Sequence, residues 1–215
     1  MRFLFFVTSI AAIALVPLAA SATEVGVRAS SLGLGLEVSQ SIAPFVDVRA
    51  MTGAATFNAD GNAQGLNYIG KAKLSNVAAV ADVHVPLTSI RFTGGLLFNR
   101  NRVDITGQPS GATYTINGST YPSALVGTIN GALKFNPVAP YLGFGYDGTA
   151  KHNLGVSFDA GAVFQGSPNL TLASSNPAPS AQFTTDLLAA QQKAQSNLNY
   201  FKVYPVVTVT LAAKL

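Results

Sequence analysis

The chain of 215 residues has no cysteine and no tryptophan, and only 10% of it is charged. Without cysteine there is no disulfide scaffold, no thiolate nucleophile and no Cys-bound zinc. The charge content falls well below the ~25% of an ordinary soluble domain. Beyond the N-terminus the chain also lacks any run of about 18 apolar residues, the length a membrane-spanning helix needs. Its basic residues do not cluster with aromatics, so no nucleic-acid partner is expected. His and acidic residues do not recur at metal-ligand spacing. No helical pattern follows LGLGLE (32–37), as a dinucleotide fingerprint would require. Neither a metal nor a cofactor is expected.

What the chain does have is 48% hydrophobic residues, dispersed among 20 glycines. The N-terminus has the form of an export leader. Arg2 precedes an apolar run from Phe3 to Val16, which Pro17 breaks before the small-x-small site Ala20-Ser21-Ala22. Residues 1–22 are therefore expected to be cleaved, leaving 23–215 as a single domain. Loss of Arg2 takes the formal charge from +4 to +3.

From there the sequence keeps returning to period two, the spacing of a strand with two unlike faces. Strands are expected over about 29–41, 45–57, 68–85, 89–106, 124–136, 140–147, 154–166 and 204–215. In SLGLGLEVSQ (31–40), Leu32, Leu34, Leu36 and Val38 alternate with Gly33, Gly35, Glu37 and Ser39. In 154–166, Leu154, Val156, Phe158 and Phe164 oppose Gly155, Ser157, Asp159 and Gly161. The apolar parity changes within 68–85, which predicts a β-bulge near Asn76–Ala79. ADGNAQGLN (59–67) reads as a loop, NPVAP (136–140) as a turn, and Asn117-Gly118 as a hairpin turn inside a surface loop, 107–123. A helix is expected over 183–202, capped by Thr184 or Thr185 and packed against one end of the sheet.

Eight strands with an apolar face each suit an antiparallel up-and-down transmembrane β-barrel, the smallest common closed form. Closure removes the exposed edges that long apolar strands would otherwise present. The competing architectures are a soluble β-sandwich and a soluble ligand-holding barrel. Either would leave the many glycines facing water, where they weaken a strand. With the apolar face toward lipid, the polar face fills the lumen. The expected lumen ion network is Glu37, Asp47, Arg49, Lys71, Lys73, Asp82, His84, Arg91, Lys134 and Asp159, with Glu37 meeting Arg49 or Lys71. His84 is read as a lumen hydrogen-bonding group and His152 as a solvated loop residue. Ser157, His152 and Asp159 are not at a spacing that argues for a triad, so no catalysis is expected.

The leader, the alternating strands and the C-terminal VTVTLAAKL (207–215) resemble a small Gram-negative outer-membrane β-barrel, of the outer-membrane protein A and W type. FQGSP (164–168) and YPVV (204–207) add to the likeness. The resemblance implies a bacterial outer-membrane location, contact with outer-membrane lipid, and delivery by the barrel-insertion machinery, although Leu215 stands where that signal is usually aromatic. It implies a structural, anchoring or surface-interaction role. The alternatives are a narrow pore for small or apolar molecules and a lipid-modifying enzyme. One count conflicts with this type of barrel, whose two termini lie on one side with short turns. With both termini on that side, the short connection after 41 falls on the far side. A missed or merged strand near 23–41 would remove the conflict.

Overall fold

The computed structural model describes residues 23–63, 66–150, 152–176 and 179–215. The expected leader, 1–22, lies outside them. In chain order the elements are β1 (Thr23–Ser30), β2 (Gly33–Ala43), β3 (Val46–Ala63), β4 (Leu66–His84), β5 (Ile90–Asn99), β6 (Arg102–Pro109), β7 (Thr113–Ile116) and β8 (Ser119–Pro122). A helical turn α1 (Ser123–Val126), β9 (Ile129–Lys134), β10 (Val138–Tyr146), β11 (Leu154–Phe164) and β12 (Asn169–Ser174) follow. The chain ends with α2 (Ala181–Asn197), a 3-10 turn over Leu198–Lys202, and β13 (Val203–Lys214).

Eight of these strands close a ring in the order β4, β3, β2, β1, β13, β11, β10, β5 and back to β4. Every pairing in it is antiparallel. The expected eight-stranded barrel is present, and its first and last strands pair, from Glu24↔Lys214 to Ser30↔Thr208. Both described ends therefore lie at one end of the barrel, the terminal end. The turns at 44–45 and 85–89, and residues 147–150 and 152–153, lie there too. The turn at 31–32, the β3–β4 hairpin at Ala63 and Leu66, and the long segments 100–137, 165–176 and 179–202 lie at the far end.

This arrangement corrects the expected strand list. The segment about 29–41 is two strands, because Gly33, at φ 109°, turns the chain after Ser30. The expected turn at NPVAP is no reversal. Val138 pairs with Phe98 and Lys134 with Arg102, so β9 and β10 are one strand in one register, interrupted at 135–137. Likewise Asn99 pairs with Asn76 and Arg102 with Lys73, so β6 continues β5. Of the expected loop 59–67, residues 59–63 and 66–67 are strand, and 64–65 lie outside the described residues. There is no bulge in β4, whose pairing to β3 runs from Val46↔Val83 to Ala63↔Leu66 without a shift. The register shift lies instead at Ser41/Ala43.

At the far end, β3, β4, β6, β9 and β12 rise beyond the ring as a five-stranded flange. The concave face of the flange carries its own core, in which Leu66 meets Tyr114, Val126, Phe183 and Leu187. Helix α2 supplies the last two of these. Its cap is Ser180, whose side chain accepts from the Phe183 amide at 3.2 Å, rather than Thr184 or Thr185. The helix also protects the free edge of β12. Gln195 accepts from the Leu170 amide at 2.8 Å and Gln191 from the Leu172 amide at 2.9 Å. An unpaired edge is otherwise a template for aggregation.

One carboxylate fastens α2 to the β7–β8 hairpin, which turns at Asn117-Gly118 as the sequence predicts. Tyr121 Oη donates to Asp186 at 2.5 Å and Asn117 Nδ2 donates at 3.2 Å. Hydrogen bonds from Tyr121, Ser119 and Asn117 favour the charged form and hold the Asp186 carboxyl down to about 2. An unfolded Asp titrates near ~3.9. Its contribution is therefore complete above that value and is lost as the pH falls from about 4 toward 2. Amide hydrogen exchange in α2 should rise across that window in the native chain. In Asp186→Asn it should be raised already at neutral pH and show no step there.

Candidate functional site: the barrel lumen

Alternation decides what enters the lumen. Inward-facing positions are odd in β2, β3, β5, β10 and β11, and even in β1, β4 and β13. Outward positions carry Leu34, Leu36, Phe92, Phe144, Phe158 and Val207, all exposed around the ring. Leu34, Leu36 and Phe158, at 45%, 39% and 54% exposure, form no common core, which removes the soluble-core alternative. From Leu34 onward the apolar face of SLGLGLEVSQ looks outward, while Leu32 turns inward, and the glycines look inward where the wall is crowded. A Cβ on Gly35 would come within 1.9 Å of the Thr52 carbonyl oxygen.

The lumen holds two stacked layers. Toward the terminal end lies an ion network centred on Arg49, which is 3% exposed. Its Nη1 lies 3.4 Å from Glu37 Oε1 and 3.2 Å from Asp159 Oδ2, and its Nε lies 2.8 Å from Asp82 Oδ2. Arg49 Nη2 also donates to Asp82 Oδ1 at 2.9 Å and to Thr93 Oγ1 at 3.3 Å. Arg91 grips both oxygens of Asp159 at 3.0 Å. Thr93 donates to Asp82 at 2.5 Å and Thr210 to Glu37 at 3.3 Å. Gly145 leaves room for the central carboxylate, since a Cβ there would lie 2.3 Å from Asp159 Oδ1.

Arg28 completes the layer from β1 and donates to Thr208 at 2.9 Å. Arg28, Arg49 and Arg91 thus balance Glu37, Asp82 and Asp159 inside the wall. Mutual attraction and the hydrogen bonds among these groups offset the cost of taking the charges out of water, although Arg28 Nε, Arg49 Nε and Asp82 Oδ2 make no hydrogen bond among the described residues. The expected Glu37–Arg49 contact is present.

Toward the far end the lumen is apolar, which the sequence reading did not foresee. Leu32 folds in from the β1–β2 turn over Met51, Val80, Leu97, Tyr141, Val163 and Val206. Asn76 Nδ2 holds that turn through the Leu32 carbonyl at 3.0 Å.

At the terminal mouth a hollow of about 390 Å³ is lined by Glu24, Asp47, His84, Asp147 and Lys214 among others. His84 Nε2 lies 2.8 Å from Asp47 Oδ2, and Nδ1 lies 3.9 Å from Asp147 Oδ2. Among the described residues no group of His, Asp and Glu is placed to hold a metal ion. Asp159 is bound to the arginines, Ser157 Oγ accepts from the Gly148 amide at 3.1 Å, and His152 is exposed and hydrogen-bonds to neither among the described residues.

Of the ten residues expected in the lumen network, Glu37, Arg49, Asp82, Arg91 and Asp159 come together. Asp47 and His84 pair beside them at the mouth. Lys71, Lys73 and Lys134 do not join them. They stand exposed on the convex face of the flange, in β4 and β9, beyond the ring. The expected bulge had turned Lys71 and Lys73 inward, and without it they share the outward parity of Val77 and Val83. Arg28, Glu24 and Asp147 were missed. In TEVGVRAS (23–30) the alternation of Glu24, Gly26 and Arg28 against Val25, Val27 and Ala29 carries the signal for two of them.

No family model matches this sequence, and no curated protein matches it. Solved structures do. CarO2 of Acinetobacter baumannii is 20% identical with a TM-score of 0.60, and the match covers 90% of this chain and 98% of that one. CarO of the same organism is also 20% identical, with a TM-score of 0.57 over 88% of this chain and 96% of that one. Both are outer-membrane barrels. No helix among the described residues is long and apolar enough to cross a membrane. The fold is that of a small bacterial outer-membrane β-barrel, as the sequence resemblance implied.

Proposed function

We propose that this chain is a closed outer-membrane barrel, an anchor that holds the flange and α2 at the cell surface as an interaction platform. The carrying observation is the doubly filled lumen. An Arg49-centred ion network and an apolar plug lie in series, with Asp82 and Val163 both 0% exposed. Water and ions would have to displace both layers. The short turns at the terminal end suit the periplasmic side, and the tall flange suits the outer side.

The experiment is planar-bilayer recording of the refolded protein. The native chain is expected to give no unitary conductance steps in 1 M KCl. Truncation of the plug in Met51→Gly/Leu97→Ala/Tyr141→Ala, which leaves the ion layer in place, is expected to stay silent or nearly so. The same triple variant with Arg49→Ala should flicker open. Discrete steps from the native protein would instead support the narrow-pore reading.

A further inference from the structure

The outward columns of the flange change character at one height. Along β4 the continuous apolar belt ends at Val77, Lys73 stands four positions beyond it, and Ile69, also exposed, is an isolated apolar residue farther out. Along β5 and β6 the belt ends at Phe98, and Arg102 stands four positions beyond. Along β10 and β9 it ends at Val138, and Lys134 stands four positions beyond. The register makes these three cations direct cross-strand neighbours, Lys73↔Arg102 and Arg102↔Lys134. Exposed Arg100 lies between Phe98 and Arg102, and exposed Lys71 one row above Lys73. Asp104 beside Arg102, at 2.5 Å, is the acidic group set among them. Like charges directly opposite one another on a sheet are unfavourable. The row therefore costs stability unless something anionic covers it.

Its height identifies the cover. Four residues of strand span about 13 Å. At a barrel tilt near 40° that is roughly 10 Å along the membrane normal. The row thus sits where the hydrocarbon gives way to headgroups, a layer several Å deep. The same face carries the apolar belt below the row. Just above it lies a hollow of about 320 Å³, lined by Arg102, Asp104 and Ile105 together with small and polar residues such as Thr106, Asn130 and Thr171. One amphiphile matches all three features: acyl chains for the belt, phosphates for the cations, and a sugar for the hollow.

We propose that Lys73, Arg102 and Lys134, with Arg100 and Lys71, bind the phosphates of a phosphorylated glycolipid of the outer leaflet on the convex face of the flange. The proposal rests on the outer-membrane orientation given above. It does not depend on whether the lumen conducts.

The test uses the refolded full barrel in dodecyl maltoside with diphosphorylated lipid A as probe, read by native mass spectrometry and by titration of a fluorescent derivative. Binding should be at least tenfold tighter than that of fully dephosphorylated lipid A, and should weaken as salt is raised. K73Q/R102Q/K134Q should lose at least tenfold, while K202Q, in the 3-10 turn before β13 and outside the flange, should not. Folding of each variant is checked by its heat-modifiable gel band, and if the triple variant does not fold, K134Q and K73Q are read singly. Equal binding of phosphorylated and dephosphorylated lipid A overturns the proposal. Equal binding of phosphatidylglycerol or inorganic phosphate at the same concentration overturns it too, since the glycolipid would then not be distinguished. None of these outcomes bears on the bilayer recording, so the two readings fail separately.

Discussion

Arg49→Leu is expected to cost the barrel about 3–5 kcal/mol, the penalty for removing one partner of a buried ion pair and stranding the other. The loss is large because one guanidinium serves three carboxylates. Asp159 would keep Arg91, but of the hydrogen bonds among the described residues Glu37 would retain that from Thr210 and Asp82 that from Thr93. Two buried carboxylates would then have to be protonated or to draw water into the wall. Arg91→Leu should cost less, because Arg49 still faces Asp159. The measurement is urea unfolding in detergent followed by far-UV circular dichroism, the chain having no tryptophan to report. Adding Glu37→Gln and Asp82→Asn to Arg49→Leu should restore much of the loss, since neutral groups are cheaper to leave unpaired. A cost under about 1 kcal/mol, the range of an exposed pair, would show that the network is solvated.

The barrel could be read from the sequence because parity is local. Phe158 and Asp159 differ in face wherever the strand lies, so 154–166 shows its lipid side and its lumen side in the residues themselves. Strand number was legible only through two opposite errors. Merging β1 with β2 removed one strand, and splitting the continuous β9–β10 strand added one. The parity flips across the two-residue turn at Ser31-Leu32, but apolar Leu32 inside the turn extends the Leu34, Leu36 alternation and hides the flip. The Asn-Pro at 136–137 looks like a reversal but merely interrupts a strand whose register persists.

Height along a strand was not legible at all. Lys71 and Lys73 share the parity of Val77, and what separates them is that β4 has passed beyond the ring, Val77 pairing with Phe98 of β5 and Lys73 with Arg102 of β6. A sequence that swaps apolar for cationic on one face can mean a bulge or a boundary, and only the partner strands distinguish the two. Arg102 on β6 and Lys134 on β9 make the same change at the same row, which a local bulge would not produce. The Arg49 network was accessible for the opposite reason, since its members come from the part of each strand where outward neighbours are uniformly apolar.

The decisive test of membrane placement is a charge on the belt at two depths. Phe158 and Leu154 are both outward residues of β11, 54% and 63% exposed. They differ by four positions, roughly 10 Å in height. Leu154 pairs with Ala213 beside the C-terminus and so sits at the rim, whereas Phe158 pairs with Val209 near mid-height. Arginine in hydrocarbon costs about 2–4 kcal/mol at the midplane and about 0–1 near the interface. Phe158→Arg should therefore lower stability in phosphatidylcholine vesicles by about 2–4 kcal/mol and slow insertion. Leu154→Arg should fold and insert nearly as the native chain does. In water both positions would be ordinary surface sites, with both effects near ~0.5 kcal/mol or less. A depth-dependent penalty follows from lipid at the apolar face. Equal, small effects at both positions would mean that the outward leucines and phenylalanines meet something other than a bilayer.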